Sequence, residues 1–469
     1  MPSYPAPHRP TFASVLRSFA HDPDRAVRQA LPAAVLERFA AEEGVSFGQQ
    51  PNAVYTPPVT VWAFLSQCLS ASKSCVAAVA RVLVLYASLG RAPGAAGTAA
   101  YCKARAKLPE GFLRRLTYHV GEGLEAAAEP AWLLRGRHVK LIDGTCLSAP
   151  DTPTNQAAYP QSTQQAPGLG FPMIRLVVVL TFATAALVGA AFGPCQGDET
   201  GETALLRALR DQLRAGDVAV ADRHYCSYWQ IAALQQGGVD AAFRLHQRRP
   251  SDFRRGRRLG RWDHVVRWPK PARPGWMDAA TYAALPAELA LREVRVAVAT
   301  PGVRTRVLTV VTTLADPAAW AREDIADLYH KRWHIELDIR NIKQTLGMEV
   351  LTCKTPAMLA REIWAHLLGY NLIRQALAEA ARAAGVAPRQ LSFAGAVQTV
   401  EAFRWLLQCS AAGPFALACR ALYLALGAHR VGTRPDRVEP RRVKRRQQLY
   451  PLLNQARAEA RAALLANAE

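Results

Sequence analysis

The sequence predicts a mixed α/β protein, a sheet with helices around it, on three observations. Residues 1 to about 135, and again 355 to 428, place apolar side chains at three-to-four spacing between Gly or Pro stops, the mark of amphipathic helices. Between those stretches lie short apolar runs with β-branched residues, the mark of buried strands, and two of them run into an aspartate. A third stretch, Gln247 to about Ala290, breaks the rhythm with many Arg, several Pro and three Trp: Trp262, Trp268 and Trp276.

In chain order, "FASVLRSFA", "AAVLERFAAEEG", "VWAFLSQCLSASKSCVAAVARVLVLYASLG" and "PEGFLRRLTYHVGEGLEAAA" are helical. From Arg137 the period changes, and "HVKLID" is a short buried strand ending in Asp143. "MIRLVVVL" and "ALVGAAF" follow as a hairpin, then Glu202 to Leu213 as an amphipathic helix. Val218 to Ala221 is a strand ending in Asp222, and "AAFRLH" is a further strand. "LREVRVAVATPGVRTRVLTVVTTL" is a hairpin turning at Pro301-Gly302, so that 247–316 is a β-rich insertion. A helix then opens near Arg322 and closes near Gly347, and the tail after the last helices is basic and rich in breakers. The division expected is 1–136 helical, 137–246 a first core segment, 247–316 the insertion, 317–375 a second core segment, and 376–469 helical and basic. There is no internal repeat.

Lys and Arg number 58 against 37 Asp and Glu, a formal charge of +21, in a chain of 469 residues that is half hydrophobic. Such an excess makes a polyanion the first partner to expect, because cationic side chains gain affinity by releasing counterions from phosphates. The nine cysteines show neither a CxxC pair nor zinc-ligand spacing, which fits reduced thiols in a cytoplasmic protein. "MPSYPAPHRPTF" has no apolar signal core. The run Leu176 to Phe192 has the length to raise a membrane helix, but its β-branched first half and a turn at Thr181 to Thr184 read better as two antiparallel strands. No membrane association is expected.

The chemistry concentrates in "YHKRWHIELDIRNIK", Tyr329 to Lys343. At 100° per residue Tyr329, Arg332, Glu336 and Lys343 share a stripe about 60° wide and roughly 21 Å long, flanked by Trp333 and Arg340. An Arg–Glu pair four apart is by itself an ordinary helix ion pair worth tenths of a kcal/mol. Asp143 and Asp222 alter that reading, since each follows an apolar strand where packing alone would not place an acid, although an Asp there often serves only as a turn former. Three converging carboxylates suit hard divalent cations that activate a nucleophile and stabilise a leaving oxygen in phosphoryl transfer. Arg332 and Lys343 would then clamp phosphates.

The spacing Tyr329-x2-Arg332-x3-Glu336-x6-Lys343 resembles the Tyr-Arg-Glu-Lys signature of DDE transposases of the insertion sequence four family. "LIDGTCLSAPDTPTNQAAYPQ" is similar to that family's first-Asp region, "GDVAVADRHYCSYW" to its second, and "EPRRVKRRQQLYPLL" to its C-terminal segment. The resemblance implies an RNase H-like core with a mixed five-stranded sheet, interrupted by the β-rich insertion, with helical N- and C-terminal regions. It implies Asp143, Asp222 and Glu336 as catalytic, metal-binding residues for Mg2+, with Mn2+ able to substitute. It further implies cut-and-paste transposition through end nicking, hairpin formation and resolution, and strand transfer. Double-stranded DNA would be the partner, as terminal inverted repeats and as target, and a homodimer would form the synaptic complex in a bacterial, nucleoid-associated setting. Tyr329, Arg332, Trp333, Arg340, Lys343, Trp262 and Trp268 are the DNA-binding candidates. The Trp residues enter because an extruded base needs a surface to stack on, though packing is the commoner role for a Trp.

His330 and His334 project away from Glu336 and make no HExxH motif, so packing or surface roles are expected. The same acids would suit an RNase H-like nuclease or resolvase, and a DNA-binding derivative that has lost catalysis is the reading from another class.

Overall fold

The structure, a computed structural model, describes residues 33–50, 52–88, 90, 94–297, 307–409, 412–432 and 453–466. The Pro301-Gly302 turn, the first predicted helix and most of the basic tail lie outside those residues. By contacts the chain forms two compact units. Of the described residues, one holds those up to Leu133, Ala183–Val188 and those from Asp338 to Val431, and the other Leu134–Phe182, those from Gly189 to Leu337 and those from Gly432 on.

The second unit is organised by a sheet of nine strands, β1 to β9 in chain order, with spatial order β3-β2-β1-β4-β5-β9-β8-β7-β6. β1 (Val139–Ser148) runs antiparallel to β2 (Met173–Thr181) on one side. On the other it runs parallel to β4 (Val218–Ala221), itself parallel to β5 (Asp240–Arg244). β3 (Leu187–Pro194) borders β2. This mixed five-stranded arrangement is the RNase H-like core expected. Its centre is apolar on both faces, which is why the strands read as unbroken hydrophobic runs: Val177 to Leu180 and Val218 to Ala221 are fully buried. Leu176 to Phe192 therefore lies in β2, β3 and the turn between them. Among the described residues no helix is long and apolar enough to cross a membrane.

The Arg- and Trp-rich segment adds strands to the same sheet. β6 (Arg257–Gly260), β7 (Asp263–Pro269) and β8 (Glu288–Ala297) are antiparallel neighbours. β9 (Val307–Thr312) joins β8 antiparallel to β5.

Two expectations about length need correction. β1 does not stop at Asp143, because its antiparallel pairing to β2 continues from Asp143↔Val178 to Ser148↔Met173. The helix expected over Glu202 to Leu213 ends at Arg207, and a 3-10 turn follows at Arg210–Gln212. With helices numbered in chain order, it is α7, after α1 (Ala33–Glu42), α2 (Pro57–Cys68), α3 (Cys75–Ser88), α4 (Ala99–Ala106), α5 (Glu110–Ala126) and α6 (Pro153–Ala158). α8 (Tyr228–Gln236) crosses from β4 to β5, capped by the Ser227 hydroxyl, which accepts from the Gln230 N–H at 3.3 Å. α9 (Ala279–Ala284) lies in the insertion.

The first unit is helical. Its axis is α12 (Pro356–Ala383), which packs against α2, α5 and α14 (Ala412–Ala428) and is buried on nearly every side. Its buried polar residues, Glu362, His366, Asn371 and Arg374, are held by hydrogen bonds, as buried polar groups must be. Asn371 is one of its polar fixings, with its amide nitrogen donating to the carbonyls of Thr117 (2.9 Å) and Leu187 (2.8 Å) and its oxygen accepting from Leu187 N–H. α13 (Phe393–Cys409) packs beside α14, while α15 (Arg457–Ala466), which ends the described chain, belongs to the second unit.

Candidate active site

Asp143 and Asp222 are brought together by strand register. The parallel pairing of β1 with β4 ends at Ile142↔Ala221, so each aspartate is the next residue where the two strands part. In an open α/β sheet such a strand-end crevice is where ligands bind. Asp143 Oδ1 accepts the Gly144 N–H at 2.9 Å, and Asp222 Oδ1 accepts the His224 N–H at 2.7 Å. Burial pushes the Asp143 carboxyl up to about 6, opposed by the Gly144 N–H and by Arg332 and reinforced by the charges of Asp222 and Glu202.

The helix carrying Glu336 is not continuous, contrary to the single stripe expected. α10 (Arg322–His330) ends in a turn at Lys331 and Arg332, α11 runs Trp333–Arg340, and a π turn covers Asn341–Thr345. Between Arg332 and Ile335 the backbone bonds tighten to three-residue spacing, as in Arg332 N–H to Tyr329 O at 3.1 Å and Ile335 N–H to Arg332 O at 3.1 Å. A 3-10 step turns the chain further per residue than an α-helix and a π turn less, so a uniform 100° projection does not place Lys343.

Arg332 and Glu336 nonetheless meet, with Nη2 donating to Oε1 at 2.6 Å, while Arg332 Nη1 stands 3.8 Å from Asp143. One guanidinium thus ties the helix acid to the first strand acid. Among the described residues no group of three His, Cys, Asp or Glu already stands in metal-holding geometry, and here it is Arg332 that pairs with Glu336. The donor set still fits the metal: all-oxygen carboxylates around a half-buried acid with like-charged neighbours suit a hard divalent cation.

The other candidates divide. Tyr329 is buried, and burial raises its phenol above the ordinary range, with Arg332, Arg244 and Asp222 in electrostatic reach. Trp333 is 50% exposed and Arg340 is exposed. Lys343 lies in the π turn, 3.3 Å from Glu349. Trp262 is 39% exposed at the β6–β7 turn, where its φ of 62° is unusual for so large a side chain and Arg295 stacks on its ring at 4.0 Å. Trp268 must be reassigned to packing. It is buried, its indole N–H points to Glu293 at 3.3 Å, and Arg249 covers its ring at 3.8 Å. His334 lies against Phe182 and His330 is exposed, in keeping with packing and surface roles.

Beside Asp222, Arg223, Arg244, Arg249 and Arg295 line a cleft of about 680 Å³ together with His246 and Trp262. The sequence shows these arginines as one excess of charge. The β4–β5, β5–β9 and β8–β9 pairings bring the strands and loops that carry them around one cavity.

A family model for the transposase DDE domain matches residues 135–372, just over half the chain. The chain belongs to the DDE transposase family. Among curated proteins, this transposase is similar to transposase InsG for insertion sequence element IS4 of Escherichia coli (strain K12), 29% identical over 331 residues that cover 70% of this chain and 71% of the relative. That similarity agrees with the insertion sequence four signature at Tyr329 to Lys343. Among solved structures, the piggyBac transposase synaptic complex with hairpin DNA aligns over 91% of this chain and 87% of that chain, with a TM-score of 0.40 and 10% identity. Its family membership makes this chain a metal-dependent DNA transposase.

Proposed function

We propose that this transposase performs cut-and-paste transposition with Asp143, Asp222 and Glu336 as its cation-holding triad. The observation that carries the reading is the register that leaves Asp143 and Asp222 side by side where β1 and β4 part, with Arg332 linking Asp143 to Glu336. Mg2+, or Mn2+ in its place, would supply activation of the attacking oxygen and stabilisation of the leaving oxygen. The protein's own contribution is positioning and charge. With Glu336 among the residues that would hold the cation, the Arg332 guanidinium would be the group placed to hold a DNA phosphate bidentately. Tyr329, buried and in electrostatic reach of that guanidinium, would limit where it can go. Arg340 and Lys343 add phosphate contacts.

The expected sequence is nicking by water at an element end, attack of the freed 3′ hydroxyl on the opposite strand to give a hairpin, reopening, and joining of the 3′ ends to target DNA. A hairpin demands a distorted strand, and Trp333 and Trp262, both half-exposed, offer stacking surfaces worth about 1–3 kcal/mol per base. The unusual φ at Trp262 supports that role, since strained residues cluster where side chains must be aimed. A dimer in the synaptic complex, each protomer cutting the end its partner reads, completes the proposal.

The test is cleavage of a labelled duplex carrying the gene's own flanking ends, with Mg2+, by the natural protein and by Glu336→Gln. Nicked and hairpin products from the natural protein alone are expected, with DNA bound by both. Binding by both and cleavage by neither, in Mg2+ and in Mn2+, would sink the catalytic reading in favour of a DNA-binding derivative.

A further inference from the structure

Glu202 stands at the first position of α7, far in sequence from the three acids, yet it touches the segments carrying both aspartates. Its carboxylate lies against Gly144, the residue after Asp143, so closely that a Cβ built there would meet its Cδ at 2.3 Å and its oxygens at 2.5 and 2.7 Å. A glycine is thus what leaves room for an acid beside Asp143. On its other side Glu202 Oε2 accepts the Tyr225 hydroxyl at 3.0 Å, and Tyr225, three residues after Asp222, is fully buried. An acid wanted only to favour the helix dipole would gain as much facing solvent. This one instead spans from the Asp143 strand to the loop after Asp222.

We infer that Glu202 is a positioning residue of the active centre, a fourth carboxylate that braces Tyr225 and places its charge beside Asp143 so that the aspartate pair holds its divalent cation. The inference rests on the reading of Asp143, Asp222 and Glu336 as the triad. Outer carboxylates of this kind act on the metal through the ligands they orient, and their loss typically weakens binding about 10- to 100-fold.

The experiment is Mn2+ binding to the full-length protein, followed by the spectrum of free Mn2+, for the natural protein, Glu202→Gln, Tyr225→Phe, Asp143→Asn and Glu199→Gln. Glu199 is an exposed acid paired with Arg207 and controls for the loss of one charge. Glu202→Gln is expected to weaken Mn2+ binding about 10- to 100-fold, with the Mn2+ needed for half-maximal cleavage rising in parallel and excess Mn2+ restoring the rate. Tyr225→Phe keeps the ring and the Glu202 charge, so a smaller, several-fold weakening is expected, and Glu199→Gln stays within about twofold. Unchanged Mn2+ affinity in Glu202→Gln while Asp143→Asn loses it overturns the inference and leaves the triad standing. Unchanged affinity in both variants removes the triad reading, and the inference with it. If Glu202→Gln does not fold, Tyr225→Phe decides, and natural affinity there overturns the inference.

Discussion

Arg332 is the residue on which most of the site's electrostatics turns, because it touches the helix acid at 2.6 Å and stands 3.8 Å from a strand acid. A flat guanidinium can serve two carboxylates and later a phosphate; an ammonium concentrates its charge at one point. Arg332→Lys is therefore expected to lower single-turnover cleavage nearly as far as Arg332→Ala, on the order of a hundredfold, with end binding reduced much less. Equal losses in binding and cleavage would assign Arg332 to DNA affinity alone. A second residue-scale prediction concerns His366, fully buried in α12, with Nδ1 at 2.8 Å from Glu362 O, with Glu362 and Lys73 as its charged neighbours and with the Cys68 backbone beside it. Burial pushes its imidazole below the ordinary 6.5, so the unfolded chain takes up a proton that the folded one resists. Stability from this group is whole above about pH 6.5 and falls as pH drops from there toward the lower folded value. Urea unfolding at pH 7.5 and 5.5 should change stability less unfavourably in His366→Leu than in the natural protein, the Asp143 carboxyl, raised to about 6, acting alike in both; an equal change in both would clear His366 of the effect.

At the scale of elements, the break around Arg332 and the π turn at Asn341–Thr345 show how far local geometry can depart from an ideal projection while keeping the pair that matters. The four-residue step from Arg332 to Glu336 survives because one turn tolerates a change of winding; the eleven-residue step from Arg332 to Lys343 does not, because it crosses the π turn. Helix α5 carries another such detail. Gly121 lies where a Cβ would meet Leu187 O at 2.0 Å and Asn371 Nδ2 at 2.9 Å, the groups of the Asn371 fixing. Alanine would gain roughly 0.5–1 kcal/mol in helix preference, but the backbone carbonyl it strikes cannot move without breaking that hydrogen bond. Gly121→Ala is therefore expected to destabilise by about 1–3 kcal/mol in chemical denaturation, and stabilisation would show the approach to be looser than drawn.

For the molecule as a whole, the net charge of +21 makes salt dependence the natural probe. Between 50 and 200 mM salt, a protein contacting about 6–10 phosphates loses roughly 10³–10⁵ in affinity, and a loss of that order is expected for the end duplex. Lys343→Ala should weaken binding alike across sequences and reduce the magnitude of the salt slope by about 1. A slope near zero would mean that the arginines around the cleft beside Asp222 do not meet phosphate.

Asp143 and Asp222 stood out because each follows directly on a fully apolar run, although β1 continues past Asp143 to Ser148, and the Tyr-Arg-Glu-Lys spacing stood out because it is local. The alternation of apolar runs likewise foretold the sheet, since strands buried on both faces carry no polar alternation. Glu202 was not legible, for a glutamate opening a helix is ordinary until Gly144 is seen beneath it. Trp262 and Trp268, six residues apart in the same Arg-rich segment, read alike until the β7–β8 pairing buries one under Arg249 and leaves the other half-exposed. The sequence by itself determined which acidic and cationic side chains this transposase offers and in what order they come along the chain. The tertiary structure alone decided which of them meet, because burial and strand register depend on partners far away along the chain.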